Sequence, residues 1–123
     1  MKILVADDHP VNRNMMKMLL GALGHTVDVV DDGAQACAAT EAEVYDLVLM
    51  DLHMPVMDGL EAISIIGSRQ RPPPRLVVVT ADHTVDSRAE CFASGVQTKP
   101  IDLAKLASII ALTIEKADLA QAV

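Results

Sequence analysis

The groups in this chain best able to do chemistry are three carboxylates, a hydroxyl and an ammonium, each placed just after a short apolar run. Asp7-Asp8 follow the run at residues 3–6, Asp51 the run at 47–50, Thr80 the run at 76–79, and Lys99-Pro100 a brief segment after Gly95. If these runs are strands of one parallel sheet, all of these groups collect on the rim at the carboxyl ends of the strands, where such sheets place function. Three carboxylates brought close together repel, and protonation, a cationic side chain or a bound divalent ion relieves them. An all-oxygen set of this kind suits Mg²⁺, which takes one or two carboxylates and keeps several waters; it suits a thiolate or imidazole metal poorly. Asp51 is the best nucleophile of the three, because it ends the most continuously apolar run and so has the most rigid backbone. Phosphoryl transfer to such a carboxylate needs positioning and charge neutralisation more than covalent assistance. Lys99 and Mg²⁺ would screen the phosphoryl oxygens, and Thr80 with nearby amides would donate to them.

Each group alone has a plainer reading. Asp7-Asp8 fit a helix cap before His9-Pro10, Asp51 a turn residue, Thr80 a strand-end hydroxyl and Lys99 a solvated charge. What favours the functional reading is their joint order along four strand ends, each supplying a group that complements the others.

The elements that must position these groups are legible as an alternation of short runs and helical patterns. Runs at 3–6, 47–50 and 76–79 are almost continuously apolar, as expected of strands covered on both faces, whereas the run at 27–30 is interrupted by Asp28 and reads as an edge strand. Between them, Val11, Met15, Met18, Leu19 and Ala22 recur at helical spacing, with Pro10 in the first turn and Gly24 as a stop. Asp32 with Gln35 three residues on resembles a capping box that opens an Ala-rich helix ending near Ala42. Leu60, Ile63 and Ile66 mark a third helix, stopped before Pro72-Pro73-Pro74, a stiff segment without amide donors. A helix is expected over 85–93, and a last one capped by Asp102 carries Leu103, Leu106, Ile110 and Ile114 on one stripe. This alternation predicts right-handed crossovers and a doubly wound α/β sheet.

Length and charge narrow the function classes. At 123 residues the chain has room for one domain, spanning residues 1–123, which buries roughly two-thirds of its unfolded surface without disulfides or a structural metal. Its net charge of −7 opposes nucleic-acid phosphates and anionic lipid, so neither direct nucleic-acid binding nor membrane contact is expected. Cys37 and Cys91 form no CxxC pattern and read as reduced, buried and structural. No signal-peptide pattern opens the sequence and no apolar run approaches the roughly 18 residues of a span, so a cytoplasmic location is expected.

Taken together, Asp7-Asp8, the segment Met50-Asp51-Leu52-His53-Met54-Pro55-Val56-Met57-Asp58-Gly59, Thr80-Ala81 and Lys99-Pro100 resemble, in order, the marks of a receiver domain of a two-component response regulator. The resemblance covers essentially the whole chain. It implies a flavodoxin-like (βα)5 sandwich with parallel strand order 2-1-3-4-5. It implies that Asp51 accepts a phosphoryl group from a phosphohistidine. Asp8, Asp51 and the His53 carbonyl would ligate Mg²⁺ with Asp7 acting through water, and Thr80 and Lys99 would contact the phosphoryl group. Small Ala81 would leave the approach open, and His53 and Asp82 stand where the family tunes phosphoryl lifetime. The implied partners are a sensor histidine kinase or histidine phosphotransfer protein, an effector protein and, weakly, a second copy of the chain. The wording around Val11-Asn12-Arg13-Asn14 and from Met54 to Glu61 is most similar to receivers attached to hybrid sensor kinases.

The chain also departs from the family. Lys99 comes only four positions after Gly95, and neither aromatic residue, Tyr45 nor Phe92, falls in that segment, so a short or damaged fifth strand is expected and the family's Thr-aromatic switch cannot be carried over. This departure motivates an alternative: a binding module of receiver fold that signals independently of phosphorylation. An aspartyl-nucleophile phosphatase is disfavoured because His53 stands where such enzymes carry a second Asp.

Overall fold

Apolar side chains on both sides of a strand need cover on both sides of the sheet, and this chain supplies it. The computed structural model describes residues 1–51, 57, 59–69, 74–80, 95–98 and 103–121. Within them the strands are β1 (Lys2–Ala6), β2 (Thr26–Val30), β3 (Leu47–Asp51), β4 (Arg75–Thr80) and β5 (Gly95–Thr98). The helices are α1 (Pro10–Ala22), α2 (Gly33–Ala42), α3 (Gly59–Arg69) and α4 (Leu103–Gln121). The strands pair in parallel in the order β2-β1-β3-β4-β5, with the interrupted run, β2, at one edge as expected.

Period-two alternation divides the sheet's side chains between two cores. Leu4, Ala6, Val48, Met50, Leu76 and Val78 pack on Ala36 and Cys37 of α2 and on Ala62, Ile63 and Ile66 of α3. Ile3, Val5, Leu47, Leu49, Val77 and Val79 pack on Met16 and Leu20 of α1 and on Leu106, Ile109 and Ile110 of α4. Every residue of β3 is buried, so the strand that ends in Asp51 is clamped from both faces. Each fully buried Leu or Val contributes on the order of 2 kcal/mol of transfer free energy, and that packing is what gives the rim its rigid footing.

Local signals set most helix ends. The Asp32 side chain accepts from the Gln35 amide at 2.7 Å, as the capping-box pattern predicts, while the Gln35 side chain reaches the amide of Asp31 at 3.3 Å. At the end of α1, Gly24 adopts φ +90°. His25 N–H donates to the Leu20 carbonyl and Gly24 N–H to the Gly21 carbonyl, a Schellman stop. Cys37 is buried, as expected. The expected helix over 85–93, Pro72-Pro73, Cys91 and the Asp102 cap lie outside the described residues.

Two helical stripes differ from expectation. In α1, Val11 is 77% and Met18 75% exposed, and Met15 is exposed as well; the buried pair is Met16 and Leu20, nearly opposite them on the helix. Both faces of α1 are apolar, and only docking on the sheet selects between them. In α4 the buried row is Leu106, Ile109, Ile110 and Thr113, whereas Ile114 is exposed. At about 100° per residue Ile114 lies roughly 80° from the middle of that row. Thr113 enters the core because its hydroxyl donates to the Ile109 carbonyl at 2.8 Å.

Two sites of close packing have direct consequences. A Cβ on Gly33, the first residue of α2, would meet the Met57 carbonyl oxygen at 2.5 Å, so the backbone at Met57 lies against bare helix backbone. Gly21 has open space around it. Gly33→Ala should therefore lower stability by about 1–3 kcal/mol, while Gly21→Ala should raise it by up to about 1 kcal/mol; denaturant midpoints of the two variants read the contrast. At the opposite end of the sheet, the buried Tyr45 hydroxyl donates to Asp28 Oδ2 at 2.7 Å, under the Lys2 ammonium, which pairs with Glu43. Burial, then the hydrogen bond and charge of Asp28, then Glu43, push the phenol above its ordinary value. A raised value makes this a contribution that is fully present below the unfolded phenol's pKa of about 10 and is lost as pH rises through the higher folded one. Because the chain has a single tyrosine, ultraviolet titration of the phenol should stay flat through about pH 10 in the folded protein, and a normal titration would contradict this geometry.

Candidate functional site

Register places the carboxylates before any side-chain contact is considered. β1 pairs with β3 through Ala6↔Met50, so the next residue of each strand path, Asp7 and Asp51, stands on the same rim. Asp7 still belongs to the ladder, since its amide donates to the Val30 carbonyl at 3.2 Å. β4 lies on the other side of β3, with Asp51 opposite Val79, which puts the backbone of Thr80 one residue further along.

The three carboxylates meet there. One carboxylate oxygen from each of Asp7, Asp8 and Asp51 lies within 4.8 Å of the others. Asp7 and Asp51 are each only 6% exposed, while Asp8 is half-buried. His9 stands 3.9 Å from Asp8 through Nε2, too far for a hydrogen bond. The set is all oxygen, carries up to three negative charges and has two members in a water-poor setting. That chemistry fits a hard divalent cation, and Asp7, Asp8 and Asp51 are the side chains that would hold it.

The β1–α1 connection is built to hold this shape. His9 is the N-cap of α1 but makes no side-chain cap, and Pro10 occupies the first turn, where a missing amide costs nothing. Asp7 Oδ1 accepts from the His9 amide at 2.9 Å. The plainer reading of Asp7-Asp8 as a helix cap thus gives way: the Asp7 carboxylate braces the turn ahead of the helix and faces the cluster. Arg13 reaches back from the first turn of α1 to the Asp7 carbonyl, with Nη1 at 2.7 Å. Motif spacing gives no sign of this contact, because it ends on a main-chain atom.

Of the other expected site residues, Thr80 ends β4, and only its backbone is described. β5 is short, as expected, but regular: all four residues pair with β4, and its last residue, Thr98, stands opposite Thr80. Lys99 follows it in sequence and, with His53, Ala81 and Asp82, lies outside the described residues.

The chain is similar to known proteins. Residues 3–111 match the family model described as response regulator receiver domain. The chain is 38% identical over 117 residues to the sensory/regulatory protein RpfC of Xanthomonas campestris pv. campestris, covering 90% of this chain and 16% of that protein. It is 34% identical over 119 residues to the sensor histidine kinase RcsC of Salmonella typhi, covering 94% of this chain and 12% of that one. The chain therefore spans less than a fifth of the length of these curated relatives. Among solved structures, the receiver domain of sensor histidine kinase PA1611 from Pseudomonas aeruginosa PAO1, with a magnesium ion coordinated in its active-site cleft, superposes with a TM-score of 0.85. It is 32% identical over 93% of this chain and 97% of that one. TrrA of Thermotoga maritima, solved with Mg²⁺ and BeF, gives a TM-score of 0.84 at 26% identity, over 91% and 97% of the two chains. An acidic rim on a sheet of this order, together with a family match over most of its length, establishes that the chain belongs to the response regulator receiver domains of two-component signalling and is homologous to the receivers of hybrid histidine kinases.

Proposed function

We propose that residues 1–123 form one receiver domain acting as a phosphoacceptor switch, in which Asp51 takes a phosphoryl group from a phosphohistidine on a histidine kinase or histidine phosphotransfer protein. The observation that carries the reading is the convergence of Asp7, Asp8 and Asp51 within 4.8 Å at the carboxyl end of a doubly wound sheet. Asp8, Asp51 and the His53 carbonyl would hold Mg²⁺, with Asp7 acting through water. When bound, the ion would supply neutralisation of the charge gathered around the phosphoryl group.

The chain's own residues have separable tasks. An Asp51 carboxylate oxygen attacks phosphorus in line as the bond from phosphorus to the donor imidazole nitrogen breaks. The electron pair returns to that nitrogen, and a proton on the other ring nitrogen keeps the leaving imidazole neutral. β3, buried along its full length, keeps the attacking oxygen from swinging away, which is where positional catalysis gains most. Thr80 and Lys99 would contact the phosphoryl oxygens. Hydrolysis of the resulting acyl phosphate would reset Asp51, and His53 and Asp82 hold the sequence positions at which the family tunes its lifetime. The exposed Val11, Met15 and Met18 on the outer face of α1 begin close to the rim and offer an apolar surface for the phosphohistidine-bearing partner. The domain would work in the cytoplasm, where the ATP that charges a histidine kinase is found; no helix among the described residues is long and apolar enough to cross a membrane.

The alternative, a binding module indifferent to phosphorylation, was motivated by a damaged fifth strand. The regular pairing of β5 up to Thr98 opposite Thr80 removes much of that motive.

Incubation with acetyl phosphate and Mg²⁺ should add one phosphoryl mass that hydroxylamine removes, and Asp51→Asn should abolish it; equal labelling of both proteins would defeat the assignment. The same cluster makes a thermodynamic prediction. Without divalent ions, Asp8→Asn should stabilise the fold by about 1 kcal/mol, because it removes one like charge from the trio. Added Mg²⁺ should raise the melting midpoint of the wild type and leave that of Asp8→Asn nearly unchanged.

A further inference from the structure

The phosphoacceptor reading leaves unused a cationic side chain that grips the acidic loop. Arg13 Nη1 donates to the Asp7 carbonyl at 2.7 Å across six residues of chain, in a partly buried contact. Its own amide closes the first turn of α1 on the His9 carbonyl at 3.0 Å, so the side chain springs from a fixed point. The carbonyl it holds belongs to the peptide unit that joins Asp7 to Asp8.

Asp7 is secured on every side. Its amide donates to Val30, its Oδ1 accepts from the His9 amide and its carbonyl accepts from Arg13. Among the described residues Asp8 has no comparable anchor. It is half-buried, and its ion-pair contact with His9 is long, at 3.9 Å. The direction in which Asp8 leaves the backbone is therefore set by the plane of the Asp7–Asp8 peptide, and Arg13 is the group that sets this plane from the helix side.

We propose that Arg13 is a positioning residue for the cation site: by pinning the Asp7–Asp8 peptide it aims both carboxylates at Asp51. The inference rests on the reading that this trio holds a divalent cation. A guanidinium held on the loop that carries Asp7 and Asp8 has a second, purely electrostatic consequence, because its charge would relieve their repulsion when no ion is bound and compete with an ion that enters. The two consequences have opposite signs in cation affinity. If Arg13 were only a counter-charge, its removal would tighten Mg²⁺ binding; if it positions the ligands, removal loosens binding.

Calorimetric titration of the 123-residue chain with MgCl₂ at fixed ionic strength separates them, with Arg13→Met preserving the aliphatic stem, Arg13→Ala removing it and Arg13→Lys retaining a charged donor. Positioning predicts at least tenfold weaker Mg²⁺ binding in both Arg13→Met and Arg13→Ala, with most of the affinity restored in Arg13→Lys. Circular dichroism checks that each variant is folded, and Arg13→Met carries the comparison if Arg13→Ala is not. Unchanged or tighter binding in Arg13→Met overturns the inference and leaves the phosphoacceptor reading standing. Absence of Mg²⁺ binding in the wild-type chain overturns both.

Discussion

Like charge held at close range is the constraint to which the rest of this molecule answers. Three carboxylates with oxygens within 4.8 Å of one another would separate if their backbones were free, because two of them are almost shut off from water and repulsion grows as the dielectric falls. They stay together because parallel pairing of β1 with β3 fixes where Asp7 and Asp51 emerge. The two cores on either face of the sheet resist any shift of those strands. Packing free energy gathered along the length of the sheet thus stabilises an unfavourable electrostatic arrangement at one end of it. A bound cation would relieve the repulsion, which is how a structural cost would become a binding site.

The loop after β1 shows the same trade at smaller scale. A chain leaving a strand and turning at once into a helix has few ways to satisfy its polar groups. Here the Asp7 carboxylate takes up the His9 amide, Pro10 removes an amide that would have lacked a partner, and Arg13 takes up the Asp7 carbonyl. Each contact is worth little against water. Collectively they leave the Asp7–Asp8 peptide with little freedom, and the site inherits that order. On the other side of Asp51, the absence of a Cβ at Gly33 lets the backbone at Met57 lie directly against α2. Both segments flanking the cluster are thereby referred to helices that are themselves docked on the sheet.

Much of this was legible in the residues. Continuous apolar runs mark strands buried on both faces because no other element needs Leu47, Val48, Leu49 and Met50 in unbroken order. The interrupted run with Asp28 marks an edge because one side of β2 has no neighbour. Asp32 with Gln35 and Gly24 mark helix ends because they satisfy backbone groups locally, with no help from the rest of the fold. What was not legible is which of two apolar faces a helix buries. In α1 the stripe of Val11, Met15 and Met18 has as good a spacing as Met16 and Leu20, yet it is the latter pair that meets the sheet. In α4 the row containing Thr113 displaced Ile114, since a hydroxyl that bonds to its own helix can be buried cheaply.

The sequence by itself determined the order of the elements, the fold class and the identity of the acidic trio, because periodicity, caps and residue chemistry act over a few neighbouring positions. Tertiary structure alone decided that Asp7, Asp8 and Asp51 converge, that the outer face of α1 stays open and that Arg13 braces the peptide between two of the acids. Those outcomes depend on distances between residues far apart in the chain, or on main-chain atoms, and such distances exist only once strand register and helix docking have been fixed.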